Sequence, residues 1–149
     1  MSYEKDFLTG LAQMIADSSI ATYKPSGVYA PTETGIVFGG WPQAPDACLV
    51  LNYTPVTDGV MVPMGKGILE VHSRGRPGDP FGPAELATPV FDLIHNMMDH
   101  TFGTSHVIQI LRNHVAPLEQ DALKRFEHVE LFTIDLDTPG TTARPVAGY

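Results

Sequence analysis

A chain of 149 residues with 43% hydrophobic residues has the size and composition of one globular domain, which buries about 70% of its unfolded surface without needing a disulfide or a metal. Seventeen acidic against nine basic residues give a net charge of −8, which argues against a nucleic-acid interface built on neutralised phosphates. The single cysteine, Cys48, rules out a disulfide framework and reads as an inert core thiol. No apolar run approaches the ~18 residues of a membrane helix, and MSYEKDFLTG does not read as a signal peptide. The expectation is a soluble protein folded in a reducing cytoplasm.

The chain opens with a predicted helix over residues 3–18. Phe7, Leu8, Leu11, Met14 and Ile15 recur on one face, Ser2 can cap it, and Glu4 and Asp6 fall where the helix dipole favours negative charge. Gly10 weakens its middle by about 1 kcal/mol relative to Ala.

Residues 19–46 show little periodicity and many prolines, glycines and aromatics. Only Ile36–Phe38 reads as a short strand. Long segments of this kind are uncommon in compact domains unless they are functional or ordered by a partner. The expectation is an extended segment laid over the body or against a neighbouring subunit, with an ordinary surface loop as the plain alternative.

Cys48–Thr54 is almost continuously apolar and predicts a central strand covered on both faces, stopped by Pro55. An irregular turn leads to a second strand at 68–74, where Leu69 and Val71 alternate with Glu70 and His72. RGRPGDP then allows neither strand nor helix. Beyond it Leu86, Val90, Ile94 and Met97/Met98 recur at helical spacing, predicting a helix from Pro83 to His100 bent at Pro89, where a backbone hydrogen bond is lost. Thr104–His114 and Glu127–Leu136 predict two further strands, with a helical turn in the charged link between them. The sum is α+β: a mixed, mostly antiparallel sheet with two helices packed on one face. Residues 1–137 read as a single domain and 138–149, rich in Pro, Gly and Thr, as a C-terminal arm.

The histidines raise a metal hypothesis. On a helix, His95 and Asp99 would share a face, with His100 and His106 near in sequence, enough to frame a small metal-dependent hydrolase as an alternative. The opposing reading is a surface pair at i,i+4, since no HExxH or HxH motif completes a ligand set. No metal or cofactor is expected. Ser73 cannot readily meet the ring of adjacent His72, because successive strand side chains point to opposite faces, and there is no GxSxG elbow or phosphate-binding glycine loop. No catalytic residue is expected. The loop Arg74–Pro80 is the most distinctive local feature, because arginines form bidentate bonds with carboxylates on a partner surface. Arg74, Arg76 and Asp79, with Tyr29 and Trp41 of the long segment, are the candidate partner contacts; the alternative is a solvated connection.

The order of these pieces carries a resemblance. FLTGLAQMIAD, IATYKPSGVYAPTETGIVFGGWPQAPDACLVLNYT, LEVHSRGRPGDP, VFDLIHNMM, IQILRNHVAPLEQD and RFEHVELFTI, taken in sequence, resemble the tail-terminator or minor capsid proteins of long-tailed phages, especially those of actinobacterial hosts. Pro89 and the longer, proline-rich last arm depart from the pattern. The resemblance implies a virion protein made in the host cytoplasm and assembled as a homohexameric ring on the head-proximal end of the tail tube. It implies the major tail tube protein and the head–tail connector or stopper protein as partners. DNA would pass the lumen without specific binding, which an acidic wall favours because like charges repel. Another head–tail joining (neck or stopper) protein is the nearest alternative.

Overall fold

The structure, a computed structural model, describes residues 2–60 and 63–143. Helix α1 (Tyr3–Asp17) starts where the sequence places it: Ser2 Oγ accepts from the backbone N–H of Glu4 at 3.2 Å and of Lys5 at 3.4 Å. Its face of Phe7, Leu11, Ala12 and Ile15 is fully buried. Burying a side chain the size of Phe, Leu or Ile stabilises the fold by about 1.5–3 kcal/mol, enough to offset Gly10. Gly10 is also required there, because a Cβ would meet the Phe102 ring at 2.6 Å.

Among the described residues six strands follow: β1 (Gly35–Phe38), β2 (Cys48–Asp58), β3 (Met64–Arg74), β4 (Met98–Phe102), β5 (Ser105–Leu118) and β6 (Glu127–Asp137), with α2 (Gly82–Ile94) between β3 and β4. They form one sheet in the order β1-β2-β3-β6-β5-β4, parallel between β1 and β2 and antiparallel elsewhere. Strand alternation sets the core: Leu49 and Leu51, Leu69 and Val71, and Phe132, Ile134 and Leu136 all face the same side. Phe7, Leu11 and Ile15 of α1 and Val90 and Ile94 of α2 join them in one cluster, so both helices cover one face. This is the α+β fold the periodicities predict.

Three local expectations fail for physical reasons. Pro55 does not stop the second strand; β2 runs through it to Asp58 with a register shift between Pro55 and Thr57. β1 pairs only as far as Leu51, so beyond that point β2 is an edge, where a missing N–H costs little. Helix α2 begins at Gly82 with Pro83 in its first turn and contains Pro89, but ends at Ile94. Asn96 there adopts φ +64°, a left-handed conformation that Asn tolerates. The next residues pair with β5 instead: Asn96 N–H donates to Ile110 O at 2.7 Å, and Ile110 N–H to Met97 O at 3.0 Å. Met98–Phe102 is therefore a strand that the helical spacing of the methionines concealed. In the link between β5 and β6, a turn closed by Lys124 N–H to Asp121 O at 3.0 Å stands where a helical turn was expected.

The expected arm at 138–149 lies partly outside the described residues. Thr138 remains tied to the body, its N–H donating to Pro63 O at 2.8 Å.

Candidate interaction surface

The long segment before β2 is organised by its own polar groups. Tyr29 Oη donates to Ile36 O at 2.6 Å and accepts from Lys24 N–H at 3.0 Å. Lys24 Nζ donates to Glu33 Oε1 at 2.7 Å, and the same oxygen accepts from Ala30 N–H at 2.6 Å. The lysine and the two hydrogen bonds stabilise the Glu33 carboxylate and hold its pKa below the usual value. Thr22 bridges to Gly35 on the outer side of β1 and so covers part of that edge.

Arg74 is not a surface arginine: at 1% exposure it lies inside the chain. Its Nε donates to Asp46 O and its Nη2 to Pro42 O and Pro45 O, each at 2.8 Å. The guanidinium also lies 5.0 Å from the centre of the Trp41 ring. Arg74 therefore fixes the turn that presents Trp41, and its Nε and Nη2 donors are spent on backbone carbonyls. Arg125, likewise buried, braces the same turn through Gln43 O at 2.6 Å and Asp46 Oδ1 at 3.1 Å. The loop Arg74–Pro80 thus divides. Arg76 is exposed, with Nη2 donating to Thr32 O at 2.8 Å, and Asp79 Oδ1 accepts from Phe81 N–H at 3.1 Å at the approach to α2. Tyr29 and Trp41 are half-buried. Arg76, Asp79 and Trp41 reach the surface from neighbouring elements, and a notch of about 200 Å³ opens between Arg76, Asp79 and Glu85.

The residues of the metal hypothesis are separated by the early end of α2. His95 Nδ1 accepts from Arg112 N–H at 3.0 Å, and its ring stacks on Phe91 with centres 4.6 Å apart. His100 tilts against Phe102 at 4.6 Å. Asp99 instead bonds His106 Nε2 at 2.6 Å, while Asp137 takes His106 Nδ1 at 2.7 Å. The imidazole occupies the space between these carboxylates, and among the described residues no group of three or more His, Cys, Asp or Glu is arranged to hold a metal. Burial pushes the Cys48 thiol up to about 11, so it is neither a nucleophile nor a ready ligand at neutral pH.

Two apolar surfaces have no counterpart among the sequence candidates. The β2–β3 hairpin extends past the core, and Val56, Val60 and Met64 are 57%, 86% and 42% exposed on it. The apolar string VMVPM beside a turn glycine is the sequence signal that marked it. A groove of about 710 Å³ runs between α1 and the start of the long segment, lined by Leu8, Tyr23, Pro25 and Phe38 with Lys5 and Gln13 on its rim. Tyr23 and Phe38 meet edge to face there at 5.9 Å. Isolated exposed apolar residues are ordinary on protein surfaces, whereas contiguous apolar patches mark interaction sites.

No protein-family model matches the chain, and no curated protein is significantly similar to it in sequence. Among solved structures, a chain of the "Virion of native gene transfer agent (GTA) particle" is similar in fold, with a TM-score of 0.54 over 68% of this chain and 78% of that one, at 9% sequence identity.

Proposed function

We propose that this chain is a structural, non-enzymatic virion protein: a tail terminator. It forms a homohexameric ring on the head-proximal end of a phage tail tube, stops tube polymerisation, and joins the tail to the head connector. The observation that carries the reading is the fold shared with a chain of a virion, to which the order of sequence pieces adds the terminator role. The exposed apolar hairpin and the aromatic, proline-rich segment are suited to contacts between subunits.

The physical mechanism is capping. A tube grows because each ring offers the next an unsatisfied surface, an open heterologous arrangement. A terminator matches that surface on one side and presents a different one, to the connector or stopper protein, on the other. Arg76, Asp79, Tyr29 and Trp41, with the turn that Arg74 braces, form the contact region in this reading. The net charge of −8 lets DNA pass the lumen without specific binding.

The test is electron microscopy of lysates from a phage lacking the gene. Overlong, headless tails beside DNA-filled heads are expected. Tails of normal length, unattached to heads, would instead assign the chain to the neck or stopper proteins. Infectious particles of normal appearance would overturn a virion role altogether.

A further inference from the structure

On the helix-covered face of the sheet, three polar side chains stand at adjoining positions. Ser73 of β3 and His128 of β6 are direct cross-strand partners, and Glu130 is the next residue of β6 on the same face. Strand alternation points them the way Val71 and Phe132 point, into the core that α2 roofs. Ser73 is 0% and Glu130 1% exposed. Ser73 Oγ, His128 Nε2 and Glu130 Oε1 are each buried without a hydrogen-bond partner among the described residues. The other carboxylate oxygen, Glu130 Oε2, is satisfied by Arg112 Nη1 at 2.8 Å.

Buried polar atoms are almost always hydrogen-bonded, by protein or by ordered water. Three unpartnered atoms on adjoining positions of one face are not three separate defects. Directly opposed strand residues hold their Cβ atoms about 4.5–5.5 Å apart, a span that a small bridging molecule fills. Water suits the set because it both donates and accepts: it can donate to the carboxylate, bond the hydroxyl in either sense, and complement whichever tautomer the imidazole adopts. Burial and the positive charge of Arg112 both disfavour the imidazolium of His128, so the ring is neutral and has one nitrogen free to accept.

We propose that Ser73 Oγ, His128 Nε2 and Glu130 Oε1 form a structural hydration site that holds at least one ordered water beneath α2. Ser, His and Glu are also the residue types of a hydrolytic triad, but Ser73 is sealed from any substrate. The ligand that fits is water. The site joins β3 to β6 through a polar link on the buried face of the sheet, and it is independent of the proposed role in the virion.

The test is a crystal structure of the wild-type chain at a resolution that shows ordered solvent, with water ¹⁷O relaxation dispersion in solution. A density peak about 2.6–3.2 Å from at least two of the three atoms, together with a long-lived internal water, is the expected result. Ser73→Val, which fills the space with a methyl group, should remove the peak while the chain stays folded. Direct hydrogen bonds among the three side chains, or no peak and no long-lived water in the wild type, would overturn the proposal. A peak that survives unmoved in Ser73→Val would remove Ser73 from the site and overturn it as stated.

Discussion

Arg74 Nε donates to the carbonyl oxygen of Asp46 at 2.8 Å, tying the last residue of β3 to the turn that leads into β2. Because Arg74 is 1% exposed, this bond and those to Pro42 O and Pro45 O are its alternative to water. Arg74→Ala takes the arginine donor from three carbonyls, that of Pro45 buried and those of Asp46 and Pro42 part-buried, and should cost about 3 kcal/mol, read as a lower urea midpoint with an unchanged slope. Arg74→Lys should recover only part of the loss, since an ammonium lacks the planar fork that reaches several acceptors. Arg76→Ala, at an exposed position, should change stability by less than about 0.5 kcal/mol. In the terminator reading Arg76→Ala weakens docking to tails all the same. Unchanged incorporation of this stable variant into virions would remove Arg76 from the contact surface.

Arg112 and Glu130 form an ion pair whose partners are unequally buried, with side-chain exposures of 33% and 1%. The Arg112 guanidinium also lies over the Phe91 ring, 3.8 Å from its centre. Burial pushes the Glu130 carboxyl up, and the arginine opposes that shift. Removing either partner should therefore have different costs. Arg112→Met strands a carboxylate in the core and should destabilise by about 3 kcal/mol at neutral pH, less as the pH falls and the carboxyl takes up a proton. Glu130→Gln leaves an arginine that reaches water and should cost about 1 kcal/mol. Equal losses in urea unfolding would contradict the burial asymmetry.

The sequence patterns that reported the fold well were those set by one layer of burial. The face of α1, its Ser2 cap, and the alternation of Leu69 and Val71 and of Phe132, Ile134 and Leu136 all specify local geometry directly. Patterns decided by distant pairing were not legible. Met97 and Met98 continue a helical period, yet Ile110 of β5 takes the backbone there, and Pro55 is tolerated only because β1 is short. The loop Arg74–Pro80 was half legible: RGRPGDP marks a loop correctly, but nothing in the local sequence says that Arg74 turns inward to the carbonyls of Pro42, Pro45 and Asp46. The exposure of Val56, Val60 and Met64 is likewise not written in the local sequence, since apolar residues in a strand are more often buried.

Gly67 lies against the Tyr53 ring, and a Cβ at this position would overlap the phenol. Tyr53 in turn meets Phe7 edge to face at 5.5 Å, joining the β2–β3 hairpin to α1. Alanine usually stabilises a strand relative to glycine, yet Gly67→Ala should destabilise here by about 1–3 kcal/mol because the ring must move. Tyr53→Leu alone should also lose stability. Combined with Gly67→Ala it should lose less than the sum, a coupling that a double-mutant cycle reads directly. Strict additivity of the two losses would mean that the side chains do not share the space.

His106 stands between Asp137, 2.7 Å from Nδ1, and Asp99, 2.6 Å from Nε2, and so fastens β4 and β6 to β5. A neutral imidazole has one N–H and could satisfy only one carboxylate, so the arrangement calls for the imidazolium. The bonds to Asp137 and then Asp99 raise its pKa above the ordinary 6.5. For a group whose pKa is higher in the folded state, the stabilisation is fully present below the unfolded value and is lost as pH rises through the folded one. The wild type should therefore exceed His106→Gln in urea midpoint at pH values below about 6.5, and the gap should close as pH rises beyond the raised pKa. The site is partly exposed, so the gap should also shrink in salt. Nitrogen-15 NMR of the imidazole ring reads the same titration directly: Asp137→Asn should bring the midpoint back towards 6.5, and so, to a lesser degree, should Asp99→Asn. A neutral His106 at pH 6 in the wild type, or a stability gap independent of pH, would break the assignment of this triad as a charged staple across the sheet edge.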